Sequence, residues 1–167
     1  LSLQQHLSSS DELALRKLAE VLISEQSAMT LATARENDAW AAPVYYAYLR
    51  SCFYFFSDPA SRHIRESLAT GKAAGTIAAS SISWRDIRGI QMTGTIEAVS
   101  AGWETLKVLH AYLAKFPFTS EFFQSDQKID PTVFFDRFHV NLYRFTPGLV
   151  YYLDNSIRFG FREKISL

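Results

Sequence analysis

The 167-residue chain sets 17 Lys and Arg against 17 Asp and Glu, and 48% of its residues are hydrophobic. That length carries one domain with a full core, read as residues 1–167, and is short for two. The zero net charge leaves no diffuse positive field for a nucleic-acid backbone or an anionic membrane, so any anion site has to be local. A single cysteine, Cys52, excludes an intrachain disulfide. Leu1 to Ser10 lack a basic start followed by an apolar stretch, and no run is apolar for the length a bilayer requires, so the expectation is a cytoplasmic protein.

In chain order, Ser9-Ser10-Asp11-Glu12 offers a capping box, and Leu13, Leu15, Leu18, Leu22 and Ile23 give the helix after it an apolar stripe. From Met29 to Ala34 the pattern turns strand-like. Arg35-Glu36-Asn37-Asp38 is a turn, and Trp40 to Leu49 is the return strand of a hairpin. Pro43 removes a ladder donor and implies an edge or a bulge. A tight turn at Arg50-Ser51 leads into Cys52–Ser57, which extends the hairpin into a three-strand antiparallel meander.

Asp58-Pro59-Ala60 breaks the strand, and Ser61 to Ala69 reads as a short helix ended near Gly71. Lys72–Ser80 is a fourth strand. After a loop with Trp84, Arg85 and Asp86, Ile87–Val99 is a fifth, where Gly89 and Gly94 mark bulges or close backbone approach. Helical spacing returns from Gly102 to Lys115, and a short aromatic helix is expected over Phe118–Phe123. After Asp130-Pro131, Phe134–Phe145 forms a sixth strand, followed by a tail with shorter extended pieces. This order predicts an α+β fold: an antiparallel barrel with peripheral helices.

Constellations for catalysis are sparse. His6, His63, His110 and His139 lack metal-ligand spacing, Ser80-Ser81-Ile82-Ser83 is no nucleophile elbow, and Asp11-Glu12 is explained by a helix start. A protein whose chemistry is carried by a bound cofactor needs no more than this.

Taken together, Met29-Thr30-Leu31-Ala32-Thr33, Phe53 through His63, and Arg88-Gly89-Ile90-Gln91-Met92-Thr93-Gly94 resemble the pyridoxamine 5′-phosphate oxidase-like FMN-binding split-barrel family in order and spacing. The later segments, Tyr112–Pro117 and Asp154–Gly160, look like a bacterial branch of it. The resemblance implies an antiparallel six-stranded split β-barrel of Greek-key type with peripheral helices. It also implies FMN at a homodimer interface near Trp84 and Gln91, and an oxidoreductase acting on a small molecule.

The phosphate of FMN suits a helix N-terminus with free N–H groups. There Ser61 can donate a hydroxyl and Arg62 a charge-assisted pair, with His63 standing where the family typically has lysine. The plain alternative is that Ser61 only caps the helix and Arg62 is a solvated charge. By resemblance, Val44, Tyr45, Tyr46, Phe56 and Ser57 line the ring and ribityl chain. Ala42 stands where the family often has arginine. The family's glutamine position falls on Gly89, while Gln91, on the same strand face, can take over that contact from a partner subunit.

The C-terminal Arg/His pattern that holds substrate phosphate in true pyridoxamine phosphate oxidases is absent, which argues against vitamin-B6 oxidation. Arg158 and Arg162 are candidates for contacting another substrate. Two other readings stay open: a haem-binding split barrel with His139 or His63 as axial ligand, and a cofactor-free binding module on the same fold.

Overall fold

The computed structural model describes residues 9–100, 102–117 and 138–167. The aromatic helix expected over Phe118–Phe123, the Asp130-Pro131 break and the first residues of the strand expected from Phe134 lie outside them. Helix α1 (Ser9–Glu25) leads into strands β1 (Ala28–Arg35), β2 (Asp38–Tyr45), β3 (Ala47–Leu49) and β4 (Cys52–Ser57). Helix α2 (Arg62–Thr70), strand β5 (Ala73–Ala78), a 3-10 turn (Trp84–Asp86) and strand β6 (Arg88–Ala98) follow. Helix α3 (Trp103–Lys115) and strands β7 (Asn141–Asp154) and β8 (Arg162–Ile165) complete the described chain.

The fold is the α+β antiparallel barrel that the order of elements predicted, in the split form that the resemblance implied, with every strand pair antiparallel. The sheet runs β2-β1-β5-β6-β7-β4-β3, with β8 added to β7. Eight strands therefore replace the expected six. Tyr46 divides the return strand into β2 and β3, and the tail contributes β8. The three-strand meander is corrected as well: β1–β2 and β3–β4 are separate hairpins, and β4 pairs with β7 instead of reaching β2. Both hairpins close on two residues with positive φ, Glu36 and Asn37 in one and Arg50 and Ser51 in the other. That backbone twist matches the twist of the flanking strands.

β7 runs well past the expected Phe145 end, through Thr146-Pro147-Gly148 to Asp154. It accommodates a proline because Pro147 faces Gly94 at a register shift between Thr93 and Gly94, where a missing ladder donor costs little. At Gly94 a Cβ would collide with the Thr146 carbonyl oxygen and lie 2.9 Å from a ring carbon of Phe145, so only glycine lets β6 and β7 meet there.

The interior is filled rather than hollow. Its largest fully buried side chains are rings: Tyr46, Tyr143, Tyr152, Phe53, Phe55 and Phe145. Each full burial of a Phe-sized side chain contributes roughly 1.5–3 kcal/mol. Helix α1 joins this core through Leu15, Ala19, Leu22 and Ile23, while Leu13 and Leu18 of the expected stripe face out. At 100° per residue Leu13 lies on the far side of the helix from Leu22. Helix α3 packs Val108 against Tyr54 and Leu142, and Tyr112 against Ala47. No helix among the described residues is long and apolar enough to cross a membrane.

Candidate functional site

The end of β4 and the start of α2 bring three polar side chains together. An Asx turn follows Ser57: Asp58 Oδ1 accepts from the Ala60 N–H at 2.7 Å, and the Asp58 carbonyl accepts from the Ser61 N–H at 3.0 Å. This turn sets Ser61 at the N-cap of α2 in extended geometry, yet its hydroxyl makes no cap hydrogen bond. Ser61 Oγ lies 3.1 Å from Ser57 Oγ and 3.4 Å from His63 Nε2, and Ser57 Oγ lies 2.9 Å from the same nitrogen. Ser57 and His63 are buried, and burial pulls the imidazole below its ordinary pKa. Two hydroxyls sharing one imidazole nitrogen beside uncapped helical N–H groups form a compact set of donors for an oxyanion.

Arg62 belongs to a second network. Its Nε donates to Glu66 Oε1 at 2.6 Å, its Nη2 pairs with Asp38 at 2.9 Å, and the guanidinium lies 4.9 Å from the ring centre of Trp40. Glu66 is buried and also accepts from Thr33 Oγ1 at 2.6 Å. The Thr33 and Arg62 hydrogen bonds together hold its carboxyl below the usual range. Arg62 is thus neither freely solvated nor wholly committed, since Nη1 makes no ion pair among the described residues. Reasoning from sequence missed Thr33, Asp38, Trp40 and Glu66. The i,i+4 spacing of Arg62 and Glu66 was a local signal for one of these contacts. The others depend on β1 and β2 packing against α2.

The residues expected along a flavin ring divide by depth. Val44 is buried in the core, and Tyr46 is fully buried with its hydroxyl on the Ile23 carbonyl at 2.7 Å. Tyr45, 54% exposed, meets Phe116 edge-on at 5.5 Å, and the half-buried Phe56 packs on Tyr112. β2 stands at the end of the strand path, as Pro43 implied, and the Val44 side chain turns inward from it. Lys115, not singled out from sequence, sits 3.8 Å from the centre of the Tyr46 ring and donates to the Ile23 carbonyl at 3.3 Å.

Gln91 lies elsewhere, on the outer face of the sheet. One cross-strand row there runs Thr30, Thr76, Gln91, Tyr151, and the next runs Ala32, Ala74, Thr93, Leu149. They line a hollow of about 330 Å³ to which none of Ser57, Ser61, Arg62 and His63 contributes. Arg162 also lines this hollow, whereas Arg158 packs near Phe161. Trp84 meets Phe159 at 5.6 Å, and Asn155 donates to its carbonyl, which ties the β5–β6 and β7–β8 loops together. His139 is exposed on a turn with positive φ.

No family model matches the chain. A UPF0306 protein from Klebsiella pneumoniae strain 342 is 31% identical over 97 residues, which is 57% of this chain and 65% of that protein. The UPF0306 protein Ent638_3591 from Enterobacter sp. strain 638 is 30% identical over 97 residues, 57% of this chain and 68% of that one. The chain thus spans about two thirds of the length of these relatives. Among solved structures, a heme binding protein from Mycobacterium smegmatis superposes with a TM-score of 0.67 at 17% identity, over 96% of this chain and 59% of that one. A FAD-binding protein from Mesorhizobium loti gives 0.59 at 17% identity, over 81% and 89%. A putative pyridoxamine 5′-phosphate oxidase from Listeria innocua gives 0.61 at 10% identity, over 84% and 98%. Such identities speak for the fold, which these proteins share with the pyridoxamine 5′-phosphate oxidase-like barrels. The sequence matches go further: the chain belongs to the UPF0306 family.

Proposed function

We propose that this chain binds FMN, holds its phosphate at the start of α2, and acts as a homodimeric flavin-dependent oxidoreductase on a small molecule other than a B6 vitamer. The observation that carries this reading is the Ser57–Ser61–His63 group. Three polar side chains meet at a helix N-terminus whose N-cap hydroxyl is not spent on the helix, with a guanidinium on the next residue. This donor set fits a phosphate. Edge strand β2, with Tyr45 exposed and Phe56 of β4 half-buried beside Tyr112, suits the ring and ribityl portion. When bound, FMN supplies the hydride or electron chemistry. The chain's own residues bind its phosphate, orient the ring and shield one face from water. Gln91, on the outer sheet face and apart from the α2 start, serves a flavin held by a second copy, which is why the reading includes a dimer.

Ser61→Ala tests the phosphate assignment with little cost to folding, because the hydroxyl caps nothing. FMN binding should weaken about tenfold, while riboflavin, which lacks the phosphate, should bind as before. Arg62→Ala should weaken FMN by about tenfold to a hundredfold. That variant also frees Glu66, so its thermal melt has to be measured alongside. Equal FMN affinity in folded wild type and Ser61→Ala would remove the assignment. A Soret band in place of flavin absorption from the purified protein, or no chromophore bound after FMN addition, would overturn the flavin reading itself. A monomer in light scattering with FMN fully bound would remove the dimer.

A further inference from the structure

The outer-face hollow has a chemistry of its own. Its floor is made of the smallest side chains on the sheet, Ala32 and Ala74, together with the backbone at Gly75. One wall is tall: Tyr151 stands on β7, and Arg162 reaches back from β8 with its guanidinium 4.2 Å from the centre of the Tyr151 ring. Among the described lining residues Arg162 is the one that carries charge, and no carboxylate joins it. Unlike Arg16, Arg35, Arg62 and Arg144, Arg162 forms no ion pair among the described residues. Lys164 is exposed on the same face of β8, two residues on, whereas Glu163 points the other way. A volume of about 330 Å³ falls at the lower end of small-molecule pockets, and an apolar floor with a few convergent polar groups is their usual composition.

From this arrangement we propose that the hollow binds a small planar aromatic anion. The ring lies over Ala32, Ala74 and Gly75, and its acidic group pairs with Arg162. Stacking on Tyr151 holds the guanidinium in place and spares part of the entropy that a free arginine would lose on pairing. As the substrate position of a flavoenzyme the hollow rests on the reading above. As a binding site it does not.

The probes are 2-naphthoate and its uncharged isostere 2-naphthamide, titrated calorimetrically into the full chain at neutral pH. The naphthoate should bind saturably, one per chain, and at least about tenfold more tightly than the amide, the difference an anion–guanidinium pair makes. Arg162→Gln should bring the two within about twofold of each other. Ala32→Leu, which places bulk on the floor at an exposed position, should weaken both about tenfold or more with an unchanged melting temperature. Absence of saturable binding, equal binding of acid and amide to wild type, or a preference that survives Arg162→Gln would each overturn the proposal. So would displacement of naphthoate by FMN mole for mole, since the hollow would then hold the flavin itself. FMN titrated into Arg162→Gln separates the two readings. Intact flavin binding with lost naphthoate discrimination supports this site, and intact naphthoate binding in a protein that takes no flavin leaves this site standing and removes the flavin reading alone.

Discussion

Adding one methyl group at Gly94 should be among the most damaging single changes available to this barrel. The new Cβ would overlap the Thr146 carbonyl oxygen and sit 2.9 and 3.0 Å from two ring carbons of Phe145, where carbon atoms ordinarily rest about 3.5–4.0 Å apart. Neither neighbour has room to yield. The carbonyl belongs to the β7 backbone, and Phe145 is fully buried between the rings of the core, 6.2 Å from Phe53. Relief therefore means separating β6 from β7 at the bulge or driving Phe145 off its rotamer. Overpacking alone costs about 1–3 kcal/mol, and a backbone clash raises this to about 3–5 kcal/mol, a large part of a typical total stability of about 5–15 kcal/mol. For a chain of this size each kcal/mol lowers the melting temperature by about 2–4 °C, so Gly94→Ala should melt roughly 6–20 °C below wild type. Gly148→Ala on the facing strand is the control, since its Cβ would find only the Thr93 carbonyl at 3.8 Å. Urea and thermal denaturation of both variants measure the difference. A Gly94→Ala protein within about 1 kcal/mol of wild type would refute the close approach of β6 and β7 at this point.

Three further outcomes are expected. Burial lowers Lys115 from 10.5 to about 8, which would be worth about 3 kcal/mol if fully realised but about 1 kcal/mol after solvent screening of a half-buried ammonium. Between pH 8 and 10.5 the unfolded chain binds the extra proton, so wild-type stability gains from this group as pH rises. Lys115→Met should therefore be about 1 kcal/mol more stable at neutral pH, with the gain gone near pH 10.5, and denaturant melts at several pH values would show a constant difference if this is wrong. Asp154 would be raised by burial, but bonds from Ser156 at 2.6 and 2.8 Å and from the Tyr152 hydroxyl at 2.8 Å outweigh it and hold the carboxyl below its usual value. Its contribution should thus persist down to acid pH and be lost as pH falls through that lowered value, and Asp154→Asn should cost about 1–3 kcal/mol by urea titration at neutral pH, with a neutral result counting against a charge-assisted cluster. If FMN phosphate recruits a proton onto His63, FMN affinity should fall from about pH 7 to 8.5, where the phosphate is already dianionic, whereas riboflavin affinity stays level; parallel profiles would remove His63 from the phosphate contacts.

The local features were the legible ones. Polar turns at Glu36-Asn37 and Arg50-Ser51, the αL stop at Gly71, the edge implied by Pro43 and the tight approach at Gly94 each follow from the chemistry of a few adjacent residues. Strand partners were not legible in this way. Cys52–Ser57 is apolar apart from its ends, and nothing within it announces that only Ala47–Leu49 of the return strand lies on one side and the distant Asn141–Phe145 on the other. The site divides along the same line. Ser57, Ser61 and His63 lie within seven residues and meet around one turn, although the resemblance had set Ser57 along the ring and ribityl chain and Ser61 and His63 at the phosphate. Arg62 meets Asp38, Trp40 and Glu66 in a network whose β2 half is remote in sequence. Val44 and Tyr46 share the β-favouring character of Tyr45, and only the pleat decides which of them turns inward.

The break at Tyr46 sets an order on assembly. Because β4 is flanked by β3 and β7, the strand that carries Ser57 of the Ser57–Ser61–His63 cluster has no sheet neighbour but β3 until β7 arrives. During synthesis, β1, β2, β5 and β6 can pair as they emerge, while the β3–β4 ribbon waits with its Phe53–Phe56 stretch uncovered. The Ser57–Ser61–His63 cluster therefore comes together only on a closed barrel, and a chain halted before Asn141 should leave the ribosome without it.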